Sequence, residues 1–222
     1  MAGWLAERWI NIAENSILVV IAFVCWRWFQ PSLEEARTLA PGWIAQIYLR
    51  NLVLLLIVAG GLHLYFYVWR RQKQKLKYDG RDLVKSGRNF TFNNQVLDNM
   101  FWSLGSGVAV WTLYEVLMFW AMANGYAPVL MWGDNPIWFL VLFVLTPVWI
   151  SFHFYWSHRL IHWPPLYRRV HSLHHRNTNV GPWSGLSMHP VEHLLYFSGA
   201  LIHLVIFSHP LLAVYQLCYA GF

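Results

Sequence analysis

Seven of the chain's eleven histidines fall between positions 158 and 193, and they fall in sets. His158 and His162 stand four apart in HRLIH. On a helix that step puts two imidazoles on one face, a turn apart. His171, His174 and His175 form HSLHH; positions i, i+3 and i+4 again share a face, and the adjacent pair can reach two different metals. His189 and His193, in HPVEH, repeat the four-residue step. Pro164 and Pro165 separate the first two sets. Proline stops one helix and is tolerated in the first turn of the next, so the chain can turn and aim the second set back at the first. Neutral imidazole suits iron, zinc, copper and nickel. His158, His162, His171, His174, His175, His189 and His193 are therefore the candidate metal ligands.

The remaining polar residues in apolar runs read differently. His153 precedes His158 by five, which turns it away from the ligand face and makes it structural. His63, His203 and His209 are read as packing or bend residues. Glu115 lies inside an apolar segment, where an acid is a functional candidate by default. Its distance along the segment from the histidine side favours a structural or substrate-tail role. Asn93, Asn94 and Asp98 stand where that segment begins and are candidates to support the ligands.

What must position these groups is a membrane bundle. Of 222 residues, 57% are hydrophobic and 12% charged, too few polar residues to cover a soluble surface. Fifteen Trp and eleven Tyr fit rings that settle at lipid headgroup level. Four apolar segments precede the histidines, at about 10–29, 43–69, 100–123 and 137–156. The first is the weakest, with Glu14 and Arg27 near its ends, and it lacks the marks of a signal peptide. The other three reach the ~20 residues that cross a bilayer, and in lipid they must be helices. Between Arg70 and Arg88 the chain carries Arg70, Arg71, Lys73, Lys75, Lys77, Arg81, Lys85 and Arg88 against Asp79 and Asp82. Basic and non-basic loops alternate, which puts this loop and the histidines together on the cytosolic side and excludes a nucleic-acid role for the charge. From a fourth span beginning near Ile137, His158 is ~31 Å along a helix, at the edge of the hydrocarbon. The stretch 194–222 breaks near Ser208-His209-Pro210 and is expected to form a membrane hairpin or a kinked span. Cys25 and Cys218 read as core residues, since no disulfide framework or Cys-rich zinc motif is possible with two. Two regions follow, 1–99 with the first helices and the basic loop, and 100–222 with the metal site.

The run FYWSHRLIHWPPLYRRVHSLHHRNTNVGPWSGLSMHPVEHLLY resembles the fatty acid hydroxylase/sterol desaturase superfamily. The resemblance covers about residues 137–222. It places an HxxxH box on His158 and His162, an HxxHH box on His171, His174 and His175, and a His-Pro-x-Glu element on His189 and Glu192; His193 rests on its spacing. It implies an all-α integral membrane fold and a di-iron centre on the cytosolic side. It also implies an oxidoreductase that uses O2 and two electrons to hydroxylate or desaturate a lipid. No haem or flavin motif is visible, so electrons are expected from a separate donor such as cytochrome b5 or a ferredoxin. A further C-terminal histidine box of the family has no counterpart here, and the chain ends in an apolar run; truncation before that box is the expectation. Two other readings stand beside this one. HPVEH matches the H-x-x-E-H pattern of zinc hydrolases, and a histidine-rich membrane protein can bind or carry metal without catalysis. Gathering of the histidines at one end of the spans argues against transport, whose sites lie near the midplane.

Overall fold

The computed structural model describes residues 2–73, 77 and 79–222, and for residues 2–12 and 14 only the backbone. Lys75 of the basic loop and the side chain of Glu14 lie outside the described residues. The described chain is helical throughout: α1 (Ala2–Trp28), α2 (Pro41–Val68), α3 (Gln95–Ala123), α4 (Pro136–Ile161), α5 (164–175), α6 (Pro190–Phe197) and α7 (Pro210–Gly221). Their starts follow local chemistry. Pro41, Pro136, Pro164, Pro190 and Pro210 occupy first-turn positions, where the missing N–H costs nothing. Asn94 and Asn135 cap α3 and α4 with their side-chain oxygens.

Among the described residues three helices are long and apolar enough to cross a membrane, α2, α3 and α4. Among the residues whose side chains are described, α1 contributes a shorter apolar stretch, Asn15–Trp28. The most apolar window of α3 is 67% buried, against 17% for α2 and for α4. α3 is thus the central post, and the bare sides of α2 and α4 are the lipid-facing ones. Around α3 the core joins Trp111, Phe119, Met118, Phe197, Leu217 and Ala213. Lipid supplies no hydrophobic drive between helices, so close packing has to hold them. The approach is close where α7 meets α3: a Cβ on Gly221 would lie 2.6 Å from the Trp111 ring.

The C-terminal stretch is a hairpin inside the bundle. α6 continues as a 3-10 helix, Ser198–Leu204, to a turn at Ser208, which bridges to Val129 in the α3–α4 connection. α7 then returns between α1, α3 and α4, almost wholly buried. The break falls at Ser208-His209-Pro210 as the sequence indicates, and the His209 ring nitrogen caps α7.

Among the described residues the 70–94 loop meets the histidine region at one end of the bundle. Asn179 donates to the Arg81 (3.0 Å) and Asp82 (3.2 Å) carbonyls and Arg176 to that of Asn89 (3.1 Å). Just beside the loop Tyr67 donates to the Val180 carbonyl (3.2 Å), Gln95 to that of Asn179 (2.6 Å), and Arg176 pairs with Asp98. The loops at 37, 124–129 and 208 meet at the other end. The alternation of loops read from charge is therefore the alternation of the fold.

Toward that other end a polar clamp joins α2 to α3. Arg50 meets Glu115 at 2.5 Å, and Asn51 donates to Glu115 and Thr112, each at 3.2 Å. Gln30 also donates to Glu115. Arg50 and Glu115 are both buried, so neither charge tolerates loss of the other. Glu115→Gln alone is expected to cost about 3–5 kcal/mol. The paired Arg50→Met/Glu115→Leu change should recover most of it. Unfolding of the detergent-solubilised protein followed by tryptophan fluorescence checks both.

Candidate metal centre

α4 carries two ligands into its last turn. His158 and His162 face the same way, their Nε2 atoms 3.1 Å apart. Trp163 then leaves the helical region, and Pro164-Pro165 opens α5. α5 is wound loosely, with a π-helical turn at Tyr167–His171 before the α-helical Ser172–His175. Such turns are uncommon and recur at functional sites. They bring His171 Nε2 to 3.3 Å from His162 Nε2 and 2.9 Å from His175 Nε2. His158, His162, His171 and His175 each offer a ring nitrogen, and the four nitrogens lie within 4.8 Å of one another.

The surroundings fix these rings. Glu192, on α6, meets His171 Nδ1 at 2.7 Å, and both side chains are buried. With its hydrogen on Nδ1, His171 turns a lone pair inward from Nε2. Tyr167 stacks on His162, ring centroids 5.6 Å apart. Behind α5, Arg176 is tied to Asp98 and to the Asn89 carbonyl (3.1 Å), which anchors the residue next to His175. Asp98 also accepts from the Thr91 backbone at 2.9 Å. Of the three residues at the α3 entry, Asp98 thus braces the site, Asn94 caps the helix, and Asn93 occupies a left-handed turn.

Burial, with the neighbouring His162 second, holds the His171 imidazole down to about 4, so the ring is neutral at pH 7. Burial also pushes the Glu192 carboxyl up to about 7, opposed by His174 and His162. One oxygen of Glu192, Oε2, has no partner among the described residues.

The structure brings together four of the seven candidate histidines. His174 lies beside them: its Nδ1 is 3.2 Å from the Ser187 carbonyl, and it lines the same cavity as His158. His189 accepts from the Val191 N–H through Nδ1 and caps α6. His193 is a cross-brace, with Nδ1 3.1 Å from the Ser106 hydroxyl and Nε2 3.0 Å from the Leu186 carbonyl. A Cβ on Gly107 would lie 3.3 Å from that Nε2, so the π-helical turn Ser103–Gly107 of α3 leaves room for the ring. The H-x-x-E-H pair is accordingly not assembled into one site. His153 bonds the Ser198 hydroxyl (3.0 Å), His63 stacks on Tyr67, and His203 bonds Ser208 (2.9 Å), all outside the cluster.

The donor set fits a metal ion. Nitrogens 2.9–3.3 Å apart have the separation of neighbouring ligands around an ion with bonds of ~2.1 Å. Four imidazoles, one oriented by a carboxylate, form a coordination sphere with its supporting hydrogen bond in place.

Comparison with known proteins points the same way. Residues 143–222 match the family model described as fatty acid hydroxylase. The chain is 31% identical over 74 residues to a Delta(7)-sterol 5(6)-desaturase of Gibberella zeae, covering 33% of this chain and 22% of that protein. It is 34% identical over 74 residues to the human fatty acid hydroxylase domain-containing protein 2, covering 30% and 22%. It is also 34% identical over 55 residues to a Delta(7)-sterol 5(6)-desaturase of Aspergillus fumigatus, covering 25% and 17%. The matches therefore span about a fifth of the length of these relatives. No solved structure matches. Residues 143–222, with both histidine boxes in order, are thus similar to the fatty acid hydroxylase/sterol desaturase superfamily.

Alanine at His158, His162, His171 or His175 should each remove bound metal from the purified protein. Glu192→Gln should weaken its retention about 10–100-fold, and His153→Ala should leave it unchanged. Metal per chain by inductively coupled plasma mass spectrometry, across a chelator series, checks all three.

Proposed function

We propose that the chain is a membrane-bound iron oxidoreductase that uses O2 and two electrons to hydroxylate or desaturate a lipid. The observation that carries this reading is the four-imidazole cluster at the end of a lipid-facing helix, beside a cavity large enough for part of a lipid. His158, His162, His171 and His175 would hold one iron. In the di-iron form His174 is the first additional ligand, and His189 and His193 would join only by giving up their present hydrogen bonds. When bound, such a centre supplies O2 activation and the removal of hydrogen from an unactivated C–H bond.

The chain's own residues set the conditions for that chemistry. Glu192 keeps the His171 hydrogen on Nδ1 and so presents Nε2 inward. Glu192 also lines the cavity and its Oε2 has no partner among the described residues, so its carboxyl could hold a proton there. The cavity, about 200 Å³, is lined by Phe154, Ser157, His158, Met188, Leu195 and Tyr196 among others. Pockets that enclose a whole small ligand run to ~300–1,000 Å³. A 200 Å³ hollow instead receives the reacting segment of a lipid and excludes water from it. α4 presents His158 to this cavity while Phe152, Tyr155 and Trp156 on the same helix are bare, so the lipid bilayer lies one helix width away. Electrons come from a separate donor, and the metal-bearing end is assigned to the cytosolic side by the basic loop it shares.

Iron analysis together with O2-dependent oxidation of membrane lipids, read by mass spectrometry, tests the function. The full-length protein with full iron occupancy and no O2 or peroxide reactivity would overturn it. Gly185 offers a sharper check, since it lines the cavity and a Cβ there meets nothing within 4 Å. Gly185→Leu should fold and keep its metal, yet lose about 100-fold in turnover by displacing the substrate segment.

A further inference from the structure

We infer that the hollow at the histidine-side end of α2 binds the headgroup of an anionic phospholipid. The hollow has a volume of about 540 Å³, and its lining includes Phe66, Tyr67, Arg70, Lys73, Lys77 and Pro182. Three cations face one carboxylate there, that of Asp82. Arg70 meets Asp82 at 3.2 Å, but both side chains are more than half exposed, so the pair is weak and the guanidinium keeps donors for another partner. Lys77 stands 5.4 Å from the Tyr67 ring centroid and donates one of its three hydrogens to the Arg81 carbonyl, which leaves two for another partner. The Lys73 backbone N–H donates to the Arg70 carbonyl at 2.9 Å, while its ammonium lines the hollow without an ion-pair partner among the described residues. The backbone runs through left-handed turns at Arg70 (φ 49°) and Lys73 (φ 53°), uncommon for residues with side chains. These turns stop α2 where the basic run begins.

The walls decide the chemistry of the occupant. Phe66, Val180 and Pro182 are apolar, and the cations stand on the same hollow. A phosphate fits the cations, and a glycerol with its first methylenes fits the apolar wall. The hollow also lies at the end of a span, the level at which headgroups sit, with the exposed ring of Trp69 next to it. Basic clusters next to a span on the cytosolic side are drawn to anionic lipid. A soluble acidic protein would need no such apolar recess. The position carries a consequence for the metal centre. Tyr67 reaches Val180 across the hollow's edge, and the 176–182 turn leads straight back to His175 through Arg176 and Asp98. A bound headgroup would tie α2 to the turn that follows the ligands.

The test uses the full-length protein in micelles containing equal phosphatidylglycerol and phosphatidylcholine, read by native mass spectrometry. The wild type should retain phosphatidylglycerol preferentially. Lys73→Gln should lower that preference about fivefold, and Arg70→Gln/Lys73→Gln/Lys77→Gln by a similar factor for each cation. Arg71→Gln/Lys85→Gln/Arg88→Gln removes the same charge from the same loop outside the hollow and should keep the preference, as should Arg70→Lys/Lys73→Arg. Equal losses in the two triple variants, or no preference in the wild type, would overturn the assignment. So would binding of an acidic soluble protein through Arg70, Lys73 and Lys77 without any lipid preference, which would give the surface to a protein partner.

Discussion

Four imidazole nitrogens held within 4.8 Å of one another set the terms for the whole histidine end of this protein. A neutral imidazole has one N–H and one lone pair. His171 commits its hydrogen to Glu192, so its lone pair points at His162 and His175, 3.3 and 2.9 Å away. Protonation would relieve that crowding, but burial disfavours charge on the ring. A cation held by these rings would satisfy their lone pairs and would favour the ionised form of Glu192. The elements nearby all serve this geometry. Pro164-Pro165 reverses the chain, the π-helical turn rotates His171 into place, and Arg176 with Asp98 pins the far side.

The bilayer imposes the second constraint. A backbone in lipid must satisfy its own hydrogen bonds, so the histidine frame has to be delivered by unbroken helices. α3, mostly buried, is the post on which α2, α6 and α7 pack, while α2 and α4 give their outer faces to lipid. The Arg50–Glu115 clamp works at the opposite end from the clustered histidines and locks α2 onto α3. The cluster can thus be rigid at one surface of the membrane although each span presents little polar surface of its own.

Much of this was legible in the sequence, and the misses have physical causes. HRLIH and the first and last histidines of HSLHH do converge, because four-residue steps and a proline break dictate direction without any knowledge of distant packing. The bend at Ser208-His209-Pro210 was legible for the same reason. Glu115 was readable as a polar intruder in a span, but its partner Arg50 sits 65 residues away in another span, a pairing that no local pattern announces. HPVEH misleads for a related reason. Its spacing is that of a ligand pair, yet Pro190 starts a helix at which His189 is spent as the cap, and His193 is taken up by Ser106 and the Leu186 carbonyl. Glu192, named only within a motif, turns out to orient His171. The C-terminal hairpin forms as the sequence indicates, and Gly199 and Gly221 let it close onto its neighbours within the bundle.

His174 is where the question of one ion or two becomes physical. Its Nδ1 lies against the Ser187 carbonyl, which leaves Nε2 free, the same division of labour that Glu192 imposes on His171. Its ring stacks 5.8 Å from that of His171 and lines the cavity along with His158. His174 is therefore the first further residue that could hold a second ion, and it shares the cavity with His158. His189 and His193 could reach it only by surrendering a helix cap and a brace between helices. A first ion would thus be held by rings already oriented for it, whereas a second would draw on one oriented ring and on groups now holding the fold together. Recruiting His193 to a second ion would therefore work against the packing of α6 on α3.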